Sequence, residues 1–107
     1  MQNLNIGLLQ FDQAWEDKSL NYQKVRALLS SDAKLDLLLL PEMFNTGFSM
    51  NICQGESMEN SKGINFLKTL SSELNCAIFT SLIISEGKKH FNRGVFIDTS
   101  QNKPTAV

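Results

Sequence analysis

Leu35-Asp36-Leu37-Leu38-Leu39-Leu40-Pro41-Glu42-Met43-Phe44-Asn45-Thr46-Gly47-Phe48 is the stretch that decides the fold. After Asp36 every residue up to Leu40 is aliphatic, the pattern of a strand covered on both faces in a parallel sheet. Pro41 cannot donate to a sheet ladder and ends the strand. Glu42 then stands at the strand's carboxyl end, where open α/β sheets place their chemistry. A carboxylate there is expected to be partly desolvated, which raises its proton affinity and suits a general base; a loop-capping glutamate bonded to nearby amides is the competing reading.

Working outward, Leu4 to Gln10 reads as a first strand and Phe11 to Asp17 as a loop holding Trp15. Ser19 is the expected cap of a helix running to about Ser30, with Tyr22, Val25, Leu28 and Leu29 on one face. The order strand, helix, strand with short links predicts parallel pairing of the first two strands. Residues 42–60 lack a clear period, and structureless loops of that length are often functional. A second helix is expected over Ser61 to Leu74, with Ile64, Leu67, Leu70 and Leu74 as its buried stripe and Asn75 as its stop. Cys76 to Ser85 and His90 to Asp98 read as third and fourth strands around a turn at Glu86-Gly87-Lys88-Lys89. Thr99 to Pro104 is turn-like, and Thr105 begins another strand.

The chain has 107 residues, 42% hydrophobic and 20% charged, which fits one globular domain at most. Ten basic residues against eleven acidic give a net charge of −1, so no field draws nucleic acid or an anionic membrane. The apolar run Leu37 to Leu40 is far too short to span a bilayer, and the start has no signal-peptide pattern. Cys53 and Cys76 show no metal-type spacing and fit a reducing, cytoplasmic setting. No glycine-rich phosphate loop follows the first strand, which counts against nucleotide binding and against a flavodoxin-like domain.

Phe44, Thr46 and Phe48 are candidate walls of a pocket for a small polar substrate, with packing of the aromatics against the sheet as the alternative. Asn92, an amide inside a strand, either faces solvent or makes a specific bond. Cys53 lacks the surroundings of a nucleophile, Cys76 reads as a small core residue, and His90 reads as a turn or surface histidine.

Pro41-Glu42-Met43-Phe44-Asn45-Thr46-Gly47-Phe48-Ser49-Met50 closely resembles the glutamate motif of the nitrilase, or carbon–nitrogen hydrolase, superfamily. The opening strand ending in Leu9-Gln10, the helix containing Asn21 and the strand with Phe91-Asn92-Arg93 match as well. The Met-Phe-x-Thr-Gly-Phe-Ser-Met version is most similar to the omega-amidase branch, which hydrolyses monoamides of 2-oxo-dicarboxylic acids. The resemblance implies an α/β fold, the incomplete front part of a nitrilase-like α-β-β-α sandwich, with residues 1–107 as the N-terminal portion of a single domain. It implies a glutamate, lysine and cysteine triad with no metal or organic cofactor, acting on a small-molecule amide.

In that triad Glu42 takes the glutamate's place, with Phe44, Thr46, Phe48 and Asn92 as substrate-binding candidates. The family lysine follows the strand that begins near Thr105, and the cysteine comes later; Lys103, Cys53 and Cys76 match neither motif. The chain by itself is therefore expected to be inactive, and to self-associate or join the missing remainder through its open strand edges. A non-catalytic α/β binding or interaction module is the alternative.

Overall fold

The computed structural model describes residues 3–30, 32, 34–98 and 105–106. The expected turn from Thr99 to Pro104, and Lys103 within it, lie outside the described residues. The elements in order are β1 (Ile6–Leu8), α1 (Lys18–Leu28), β2 (Leu37–Leu39), α2 (Lys62–Leu74), β3 (Ala77–Glu86), β4 (Lys89–Ile97) and β5 (Thr105–Ala106). They build one five-stranded sheet in the order β1-β2-β3-β4-β5. β1 and β2 pair in parallel, as the strand–helix–strand order requires, and so do β2 and β3. β3 and β4 form an antiparallel hairpin across Gly87, whose φ of +59° suits a residue without a Cβ.

The helices cover one face of this sheet. Leu38, Ile78, Leu82, Ile84, Val95 and Ile97 point towards them and pack with Val25, Ile64, Leu67 and Leu70 into the core. The registers put Ile6, Leu37 and Ala77 in one row on the opposite face, and Leu8, Leu39, Phe79 and Phe96 in the next. That face is open among the described residues: Leu8 is 79% exposed against 1% for Leu38. The two-sided covering expected for the aliphatic run thus holds on the helical side only.

Two element limits differ from expectation for local reasons. α1 is capped by Asp17, not Ser19: the Asp17 carboxylate accepts from the Leu20 N–H at 3.1 Å. Asp and Ser are equally good caps, and Asp17 also accepts, through its carbonyl, from the Asn21 N–H at 3.0 Å. β1 and β2 are three residues each, with one further ladder bond beyond each, Leu9 N–H to the Leu39 carbonyl and Leu40 N–H to the Phe79 carbonyl, before the chain leaves the sheet.

α2 follows the sequence reading at both ends. Ser61 accepts from the Ile64 N–H at 3.0 Å, and Asn75 closes the helix in the left-handed region (φ 51°, ψ 50°). Asn tolerates that conformation and Ala does not, at a difference of about 1 kcal/mol. Asn75→Ala should therefore lower the unfolding free energy by about 1 kcal/mol, while Asn75→Gly is neutral or stabilising. Denaturant titration of both variants checks this, and equal destabilisation by the two would contradict it.

Candidate active site around Glu42

Leu40 ends the β2 ladder by donating to the Phe79 carbonyl at 3.0 Å. The Pro41 carbonyl is then taken by the Thr80 hydroxyl at 2.8 Å. The next turn is tight. Met43 has φ +50°, a left-handed backbone that costs a residue with a side chain about 1–2 kcal/mol. It is held by bonds on both sides of its peptide. Its N–H donates to Ser81 Oγ at 2.8 Å, and its carbonyl accepts from Gln13 Nε2 at 2.8 Å and from the N–H groups of Thr46 and Gly47. Gly47 follows at φ +76° with Trp15 packed against it.

Glu42 projects from this turn and is exposed, so the burial expected around it is not found. Its Oε1 accepts from Asn92 Nδ2 on β4, and Oε2 meets no donor among the described residues. Asn92 thus makes a specific bond instead of merely facing solvent. The two residues line a hollow of about 340 Å³ on the open sheet face, together with Phe79, Ser81 and Gly94.

The other candidates divide. Phe48 is 63% exposed. Phe44, by contrast, is fully buried and tilted against Tyr22 at 5.9 Å between ring centroids. Thr46 is buried and spends its hydroxyl on the Gly47 carbonyl at 2.8 Å. Both lie behind the loop among the described residues, with Phe44 packed in the core as the alternative reading has it. Cys53 is exposed in a 3₁₀ turn over Ile52–Gln54. Cys76 is buried in the core, where burial first and the charge of Asp36 second push its thiol up, the reverse of an activated nucleophile. His90 shares a 2.8 Å bond between its Nδ1 and Ser85 Oγ. No three His, Cys, Asp or Glu side chains gather as a metal site would need among the described residues.

A buried polar assembly behind the loop carries residues that sequence reading missed. Asn21 donates to the carbonyls of Ala14 and Asn45, both at 2.8 Å, and accepts from the Ala14 N–H. Asn45 donates to the Tyr22 hydroxyl at 3.1 Å and to Glu56 at 3.4 Å. Glu56 also accepts from Lys18 Nζ at 2.7 Å, Ser61 Oγ at 2.5 Å and the Gly63 N–H at 3.0 Å. Its backbone bridges Ile83 and Ser85 on β3. Burial alone would push the Glu56 carboxyl up; the bonds from Lys18, Ser61 and Gly63 and the Lys18 charge outweigh it, so it titrates below its ordinary value. The sequence signal available was Ser61 following an acid by five positions at a helix start.

A group whose folded pKa is depressed stabilises fully above its unfolded value, about 4.3, and that contribution is lost as pH falls through the folded value. Stability should therefore decline below about pH 4.5, with Glu56 a main contributor. Glu56→Gln should cost about 2–3 kcal/mol at neutral pH and flatten this acid limb. Urea titrations across pH test it; an unchanged acid limb in the variant would refute it.

The carbon–nitrogen hydrolase family profile matches residues 5–106. Among curated relatives, omega-amidase YafV of Yersinia enterocolitica is 30% identical over 97 residues, 91% of this chain and 38% of its own length. Omega-amidase YafV of Escherichia coli K12 is 26% identical over 98 residues, again 38% of its length. A solved carbon–nitrogen hydrolase superfamily protein of Xanthomonas campestris, with an arsenic adduct in its active site, superposes with a TM-score of 0.88 at 30% identity, over 99% of this chain and 40% of that one. An N-terminal amidase bound to an Asn-Glu-Ala peptide shares the fold at a TM-score of 0.84 and 13% identity. The chain spans about two fifths of the length of the curated relatives it matches.

Proposed function

Because the chain belongs to the carbon–nitrogen hydrolase family, we propose that it forms part of an enzyme cleaving a small-molecule amide, omega-amidase-like and acting on a 2-oxo acid monoamide, with Glu42 as general base. The observation that carries this reading is the Glu42–Asn92 pair at the mouth of β2, on the rim of a hollow large enough for a small amide. The 30% identity to a protein named omega-amidase supports the branch. Residues 1–107 are then a portion of a single hydrolase domain. Glu42 and Asn92 belong to its reacting centre and Phe48 to its substrate wall. No helix of the described residues is long and apolar enough to cross a membrane, and two free cysteines suit a reducing, cytoplasmic compartment.

In this mechanism Glu42 removes the proton of a cysteine thiol contributed by the remainder of the protein. The thiolate attacks the amide carbon, and the C=O electron pair moves onto oxygen. Protonated Glu42 returns the proton to the leaving nitrogen, ammonia departs, and a thioester remains. Glu42 then takes a proton from water, whose oxygen attacks the thioester and releases the carboxylic acid and the thiol. A lysine supports the oxyanion at each tetrahedral stage.

The strand register supports a place for that lysine. Val95 faces Ala106 in the antiparallel β4–β5 pair, so each step forward on β5 moves one step back along β4. A strand continued in this register sets the third residue past Ala106 opposite Asn92, on the face that carries Glu42.

Glu42→Gln in the full-length enzyme should lower amide turnover at least about 10³-fold, since base and nucleophile act as a unit. In the 107-residue chain, where Glu42 is exposed, the same change should shift stability by no more than about 0.5 kcal/mol. Ammonia release assayed with glutaramate, alongside thermal unfolding, decides it; full activity in the variant would remove Glu42 from the reaction.

A further inference from the structure

A second hollow, of about 130 Å³, adjoins the first and shares Asn92 with it. Met43, Met50, Ile52 and Ile83 give it apolar walls, and His90 stands in its lining. The registers pair Asn92 with Ile83 and His90 with Ser85, so both β4 residues project on the open face. They stand two strand positions apart, about 6.6 Å. That separation suits the length of a short dicarboxylic acid monoamide, with its amide at Glu42 and Asn92 and its other end at His90.

His90 is held in place. Ser85 Oγ lies 2.8 Å from Nδ1, and a Cβ on Gly55 would fall 2.1 Å from that oxygen. The glycine is thus what leaves room for the Ser85–His90 pair. In the tautomer whose Nδ1 accepts from the Ser85 hydroxyl, the ring proton sits on Nε2, which is then free to donate. Glu42, at the other end, repels a second carboxylate from the reacting centre and so sets which way the substrate lies.

Resting on the amidase reading, we infer that this second hollow is the subsite for the far end of the substrate, receiving a carboxylate on His90 Nε2 with its methylenes against Met50 and Ile52. The test is steady-state kinetics of the full-length enzyme on succinamate and on butyramide, which have equal carbon counts and differ in the charge of the far end. The wild type should prefer succinamate. His90→Leu should raise the KM for succinamate about tenfold or more, the value of one charge-assisted hydrogen bond. In the same variant kcat should stay within about twofold and butyramide hydrolysis should not change. His90→Gln, which keeps a donor, should recover part of the loss.

Equal losses on both amides, no loss on either, or a wild-type preference for butyramide would overturn the subsite while leaving the amidase reading intact. If the wild type hydrolyses neither amide, the amidase reading fails. The subsite is then judged by calorimetric binding of succinate: binding that His90→Leu abolishes sustains it, and absent or indifferent binding ends it.

Discussion

The left-handed backbone at Met43 is the constraint on which the site depends. A residue with a Cβ enters that region at a cost of about 1–2 kcal/mol, and it stays there only where the surroundings over-determine it. Here four separate groups do so: Ser81 Oγ on the amide side, and Gln13 Nε2 with the Thr46 and Gly47 N–H groups on the carbonyl side. The turn lets β2 stop at its ladder, throws Glu42 outward and sends Phe44 inward in the next residue but one. An extended Met43 would carry Phe44 and the residues after it away from the core behind the loop. Ser81 and Gln13 therefore hold the loop that follows the carboxylate without touching the carboxylate itself.

Behind this turn the chain has to bury polar groups, and it does so as a connected set. Lys18 brings α1, Ser61 and Gly63 bring α2, and the Glu56 backbone is bound to β3, so one carboxylate ties together the elements that enclose the loop. Asn45 is where this assembly is weakest: its Oδ1 is buried and meets no donor among the described residues. An unsatisfied buried acceptor costs roughly 1–3 kcal/mol. The loop accepts that penalty at a position whose other two polar groups lock it to Asn21 and Glu56.

The sequence made legible what local rules govern. The aliphatic run ending in Pro41-Glu42 marks a parallel strand and the point where chemistry can sit, and Ser61 and Asn75 mark the two ends of α2. Other features depend on partners distant in the chain. Phe44 and Thr46 look like pocket residues because they flank the motif, yet the left-handed turn at Met43 directs both into the core, and no pattern of residue types reveals that turn. Glu56 lies in a loop without periodicity, and its partners Lys18 and Asn45 are 38 and 11 positions away. β2 ends where its own chain leaves β3, after the Leu40 N–H bonds the Phe79 carbonyl and Pro41 offers no donor, while β3 runs on to Glu86.

The open face of the sheet and the candidate site are one surface. Glu42, Asn92, Ser81 and Gly94 share it with Phe79, Phe96, Leu39 and Leu8. The apolar members of that set gain about 25 cal/mol for every Å² removed from water, so a layer laid over them is stabilising in proportion to what it covers. The same layer strips water from Glu42, which stands exposed without it. Removing water strengthens every charge interaction around it. A covering layer would therefore change the packing of this face and the surroundings of Glu42 together. Packing and the candidate site share a single face, and the helical face, already sealed by Val25, Leu67 and Ile78, is left to hold the framework still.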